Sequence, residues 1–345
     1  LGGYMDMLYG IAAQQQERFT VYLNTDIPYA LRLMNNADFR ALFGVEIANL
    51  DPYQSAPDGE VKRVADQVFS ITATQPEVQF TAMLTKAIAL HNRIKSDSAV
   101  SAAFTNIFNI SPQDQNPAVN AVYRNIIIQL VSSADYSENK SVADMTHASD
   151  LLTALRADNG VGIDNLIAPA GVVLPKTGAL TLEQYGVLVA LMYDTNGNHT
   201  MAWDDPVRFA KGLSLADEML KALQADDVAR AALQQITGVE IPASGPLTTG
   251  EQFDALYSLI YKADGTQQPN AKNPAKTMEG LRLAGAMLTA LRADSAAIAA
   301  LATITGATLT SSGKLTSQAQ VDALYGLIYK ADGSLQANAA DPAKT

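Results

Sequence analysis

The sequence predicts an all-α protein made of tandem units of about 68 residues, each with three helices, forming an elongated helical array. Three observations predict it. First, the heptapeptide LTALRAD occurs at 152–158 and again, letter for letter, at 288–294. LKALQAD stands midway at 220–226, so the three copies begin 68 residues apart, at 152, 220 and 288. Second, Tyr193, Tyr261 and Tyr329 keep the same interval, and NPAKT at 273–277 returns as DPAKT at 341–345. Third, apolar residues within one interval recur with the period of a helix, whereas β-branched runs such as GVVLP at 171–175 and GVEIP at 238–242 are too short to build a sheet.

These markers place units at 1–50, 51–115, 116–178, 179–245 and 246–313, with a partial unit at 314–345. The first two are divergent, but MLYGI at 7–11 still echoes ALYGLI at 323–328. The last stops at Thr345, where its second helix is due, and the expectation is a piece of a longer chain.

Each unit opens on a helix such as EQFDALYSLIYKADG. Phe253, Leu256, Tyr257, Ile260 and Tyr261 recur at i, i+3, i+4, i+7 and i+8 and so share one face, and ADG at 263–265 stops the helix. The second helix runs through TMEGLRLAGAMLTALRAD, with Met278, Leu281, Leu288 and Leu291 as its apolar stripe; Gly280, Ala284 and Gly285 permit close approach of a neighbour. Asp294 or Ser295 then caps a third helix, AAIAALATITG, which Gly306 ends. LTALRAD is on this reading the end of a core helix joined to the cap of the next.

Composition narrows the function. The chain has 345 residues, 48% of them hydrophobic, enough for a buried core. A net charge of −11 and a pI near 4.7 argue against nucleic acid, which selects a basic face, and against anionic lipid. No cysteine is present, which excludes disulfides, thiolate metal sites and cysteine nucleophiles. No apolar run is long enough to span a membrane. Nucleotide-binding and hydrolase motifs of the G-x-G-x-x-G, P-loop and G-x-S-x-G kinds do not occur, and no histidine pair has metal spacing, so an enzyme has little support.

The most specific polar cluster is DTNGNHTMAWDD at 194–205. Asp194, Asn196, Asn198 and Thr200 alternate as in a calcium loop, and Asp205 takes the twelfth place, where a bidentate carboxylate belongs. His199 stands where such a loop has its glycine, and Gly197 has moved two places earlier. Calcium at these five residues is weighed against an ordinary polar interhelical loop. A second acidic segment at 133–150 holds Asp135, Glu138, Asp144, His147 and Asp150 and reads as another interhelical loop, with metal binding as the lesser alternative. His91 reads as a helix-flank residue, and Trp203, the single tryptophan, as a plug between helices. The tyrosines at 193, 261 and 329 read as core residues whose hydroxyls reach the rim, rather than a ladder for sugar stacking.

The blocks ALYGLIYKADG at 323–333 and LTALRADSAAIAALATITG at 288–306 resemble the helical assembly regions of bacterial surface-layer proteins and large secreted adhesins. The resemblance implies an extracellular protein at the bacterial cell surface that assembles with itself, in a calcium-dependent way in many members, with cell-surface polysaccharide as a further partner. A binding or spacer module of an adhesin is the alternative.

Overall fold

A computed structural model describes residues 36–43 and 77–345, apart from Gln115, Ala134, Ala263 and Thr316. Most of the two units expected at 1–50 and 51–115 therefore lies outside the described residues. The protein is mostly helical, and the described residues contain no strand. They divide into two bodies: an amino-terminal one up to Thr105 plus Ile110–Thr146, and a carboxy-terminal one comprising Asn106–Asn109 and His147–Thr345.

In the amino-terminal body, α1 (Ala37–Phe43) and α4 (Pro117–Val131) both pack on α2 (Glu77–Ser96). The α2 stripe Phe80, Leu84, Ala87, His91 and Ile94 steps by three or four residues, which puts one face into the core. His91 belongs to that stripe, and at 8% exposure it is a core residue and not the flank residue its polarity suggests. Its Nδ1 lies 3.1 Å from the Tyr123 hydroxyl of α4, so burial leaves it partnered. Asp97 ends α2 and caps α3 (Ser98–Phe108), accepting from the Ala99 N–H at 3.0 Å.

The helix α5 (Glu138–Ala170) begins at Glu138, inside the acidic segment expected at 133–150 to be a loop. Glu138, Asp144, His147 and Asp150 are thus helical: Asp144 pairs with Lys140 at 2.8 Å, one turn back, which favours helix over loop. Within α5, Ala157 turns extended and Asp158, Asn159 and Gly160 take positive φ, so the first LTALRAD ends in a break. The other two copies end in caps. Asp226 accepts from the Ala229 N–H at 2.9 Å to start α9 (Asp227–Thr237), and Asp294 accepts from Ala296 and Ala297 to start α12 (Ser295–Thr305).

Other local signals in the carboxy-terminal body hold the same interval. Thr181, Thr249 and Ser317 cap α6 (Leu182–Leu191), α10 (Gly250–Tyr257) and α13 (Gln318–Gly326). Asp205 and Asn273 cap α8 (Pro206–Gln224) and α11 (Pro274–Ala293), each with proline at the first turn, where a missing N–H costs nothing. Gly238 and Gly306 close α9 and α12 at φ 75° and 74°, where a side chain would be strained. Single antiparallel bridges Tyr193↔His199, Tyr261↔Gln267 and Tyr329↔Leu335 pin the turns after α6, α10 and α13. The turn after α6 leads into a single helical turn, α7 (Met201–Asp204).

Helix α8 packs on α9, α10 and α11, and α9 lies along α11. Glycines set the close approaches. A Cβ on Gly285 of α11 would stand 2.8 Å from the Ala232 methyl of α9, and one on Gly212 of α8 would enter the rings of Tyr257 and Tyr261. Among the described residues no single helix is long and apolar enough to cross a membrane; α11 and α12 pass that test only together, bent by 114° at their junction.

Candidate functional site

The polar segment 194–205 is a tight turn followed by a cap. Asp194 Oδ1 accepts from the backbone N–H groups of Asn196 at 2.8 Å and Asn198 at 2.7 Å, and its Oδ2 accepts from Asn198 Nδ2 at 2.8 Å. The side-chain bond from Asn198 does most to hold the Asp194 carboxyl below its ordinary range. Thr200 points inward and donates to the Leu191 carbonyl at 2.6 Å. Asp205 caps α8 through the Arg208 N–H and pairs with the Arg208 guanidinium at 3.0 Å. Asn196, the fifth candidate, is exposed.

Asp194, Thr200 and Asp205 thus have structural work within the loop: local bonds close a turn, and the twelfth residue caps a helix. The later turns use the same device: Asp264 accepts from Thr266 and Asp332 from Ser334, through both backbone and hydroxyl. Among the described residues, no three His, Asp or Glu side chains are grouped so as to hold a metal.

The structure also joins residues that the sequence keeps apart. Trp203 lies between two imidazoles, His147 at 3.7 Å and His199 at 4.0 Å between ring centroids, both nearly parallel to the indole. Tyr193 meets His199 edge-on at 5.5 Å and tilts against Trp203 at the same distance. The tryptophan does plug a gap, as its loop position suggests, but what it fills is the space between α5 and the turn after α6.

Beside this stack opens a cleft of about 300 Å³, lined among others by His199, Asp204, Asp205, Arg208, Asp254 and Lys262. Asp254, on α10, accepts from the Met201 N–H at 3.0 Å and so holds the start of α7. Burial is the main cause that pushes its carboxyl up to about 6; the Met201 bond opposes the shift, and Asp204, Asp194 and Glu251 add to it. A carboxyl that holds its proton to near pH 6 can exchange it with bound groups.

A second cleft of about 270 Å³ is lined by Asp322, Tyr325, Tyr329 and Lys330, which lie 68 residues after Asp254, Tyr257, Tyr261 and Lys262. The tyrosines themselves are packing residues. Tyr257 is fully buried and donates to the Phe209 carbonyl; Tyr261 is 8% exposed; Tyr329 donates to the Lys276 carbonyl at 2.7 Å. The third histidine, His91, belongs to the other body. No family model matches this sequence, and no curated protein or solved structure is similar to it.

Proposed function

We propose that this protein is an extracellular structural element of the bacterial surface: an elongated array of 68-residue, three-helix units that assembles with copies of itself into a layer or filament. One observation carries the reading. The same caps, proline-led helix starts, glycine ends and pinned turns recur at one interval from Thr181 to Leu335. Units that each bury little alone are stable only against neighbours, and equal units present equal faces. Acidic, cysteine-free composition supports a place outside the cell without disulfides, and cell-surface polysaccharide is the further partner of this reading.

The recurring clefts beside Asp254 and Asp322 favour a second reading, an adhesin spacer or binding module that offers similar pockets along its length.

Negative-stain microscopy of the purified protein, with millimolar calcium and with chelator, tests both. Ordered arrays in calcium alone are the result expected of a metal-dependent layer, and would support the 194–205 turn as its metal site. Arrays in both conditions keep assembly and remove the metal. Dispersed particles in both overturn self-assembly and leave the spacer reading.

A further inference from the structure

Helices α9 and α12 hold the same place in the 68-residue interval, yet only one is covered. In α9, Ala229, Ala232, Leu233 and Ile236 are buried, with Ile236 1% exposed. In α12 only Leu301 is buried, and Ile304, the counterpart of Ile236, is 81% exposed. What covers α9 is α11. Gly285 lets the Ala232 methyl approach its backbone, Gln235 Nε2 donates to Thr289 Oγ1 at 3.1 Å, and Arg282 reaches Asp226 Oδ2 at 2.6 Å at the start of the helix.

The surface of α12 suits the same treatment better than it suits water. Ala296, Ala299, Ala300, Thr303 and Ile304 fall at i, i+3, i+4, i+7 and i+8, and all five are exposed. No charged residue lies between Asp294 and Lys314, whereas α9 carries Asp227 and Arg230 at the positions of Ser295 and Ile298. An uncharged apolar stripe on a solvent-facing helix marks a contact surface.

We infer that this face of α12 is a docking surface for an amphipathic helix of the α11 kind, supplied by a further 68-residue unit. The inference rests on the unit reading given above. The internal α9–α11 contact defines the partner's chemistry. A glycine is set on Ala300, a hydroxyl four residues later meets Thr303, and an arginine one turn before the glycine meets Asp294, the counterpart of Asp226. Such a helix covers Ala300 and Thr303 as α11 covers Ala232 and Gln235, with Ile304 one turn on from Ala300.

The test titrates a fluorescent peptide of the α11 sequence, residues 273–294, into the full chain and follows anisotropy. A staple between positions 279 and 286, both exposed on α11, holds the peptide helical. Saturable binding is expected, weakened at least tenfold by Ile304→Lys or Ala300→Arg in the protein and by Gly285→Leu in the peptide. Positions 300 and 304 are exposed, so both protein variants should keep the parent's unfolding temperature. Absent binding, or binding that these changes leave intact, overturns the inference. A dimer of the chain alone that Ile304→Lys abolishes also overturns it, by assigning the face to a second copy. Arrays without peptide binding sink this inference only; peptide binding by a chain that forms no arrays sinks self-assembly only.

Discussion

Tyr257→Ala is expected to lower the stability of the carboxy-terminal body by about 3–5 kcal/mol, the cost of emptying a well-packed aromatic site. Among the described residues Tyr257 is the largest of the fully buried side chains. Its ring lies face to face with Phe209 at 5.1 Å and 4°, and Phe209 leans on Phe253 at 5.6 Å. Its hydroxyl ends on the Phe209 carbonyl, which lies within α8 and keeps its helical partner, so Tyr257→Phe should cost only about 1 kcal/mol. The same site can be probed from the other side. Gly212→Ala drives a methyl into the edge of the Tyr257 ring, which has no space to retreat, and should cost roughly 1–3 kcal/mol despite the better helix propensity of alanine. Gly280→Ala is the control: its Cβ meets Tyr329, a half-buried ring that can swing outward, so the helix gain should nearly cancel the crowding. Urea unfolding of the four variants checks the order. A Gly212→Ala protein as stable as Gly280→Ala would mean that the aromatic stack is looser than described.

The stripe that places Tyr257 in the core is legible in the amino-acid order alone. Phe253, Leu256, Tyr257, Ile260 and Tyr261 share a helical period, and all five are buried. What the period does not disclose is that α10 ends at Tyr257, well short of the end of the stripe, so that Tyr261 reaches the core from a bridge with Gln267. Helix ends are legible for a related reason: Asp226 and Asp294 cap through side-chain bonds to residues two or three positions on, Gly238 and Gly306 close through positive φ, and both signals lie within a few residues of chain.

The 194–205 spacing is less directly legible. Spacing alone cannot tell whether an oxygen faces a central ion or its own backbone, and here Thr200 turns to Leu191 while Asp194 bonds to Asn198. The His147–Trp203–His199 stack has no sequence signal at all, because His147 lies 56 positions from Trp203 and only the packing of α5 unites them. The coverage of α12 is equally hidden: its composition resembles a buried helix, and burial depends on what lies against it.

Acid is expected to act on the two bodies in opposite directions between pH 6.5 and pH 4. In the amino-terminal body, burial first and Lys95 second hold the His91 imidazole at about 4, against 6.5 in an unfolded chain. The unfolded chain therefore binds the proton first as pH falls. The contribution of neutral His91 is complete above pH 6.5 and is lost as pH falls through 4, about 3 kcal/mol at the limit. In the carboxy-terminal body Asp254 has the reverse sign. Its folded value near 6 lies above the ordinary 3.8, so the folded protein binds the proton first. That contribution is complete below pH 3.8 and is lost as pH rises through 6, by about 2–3 kcal/mol. Hydrogen-exchange protection resolved by segment separates the two, since α2 reports one body and α10 the other. Asp254→Asn keeps an acceptor for the Met201 N–H while removing the charge, so it should stabilise the carboxy-terminal body at pH 8 and have no effect near pH 4. His91→Gln should flatten the acid loss in α2 alone. An Asp254→Asn protein whose gain is the same at both pH values would show that its benefit comes from packing and not from a buried carboxylate.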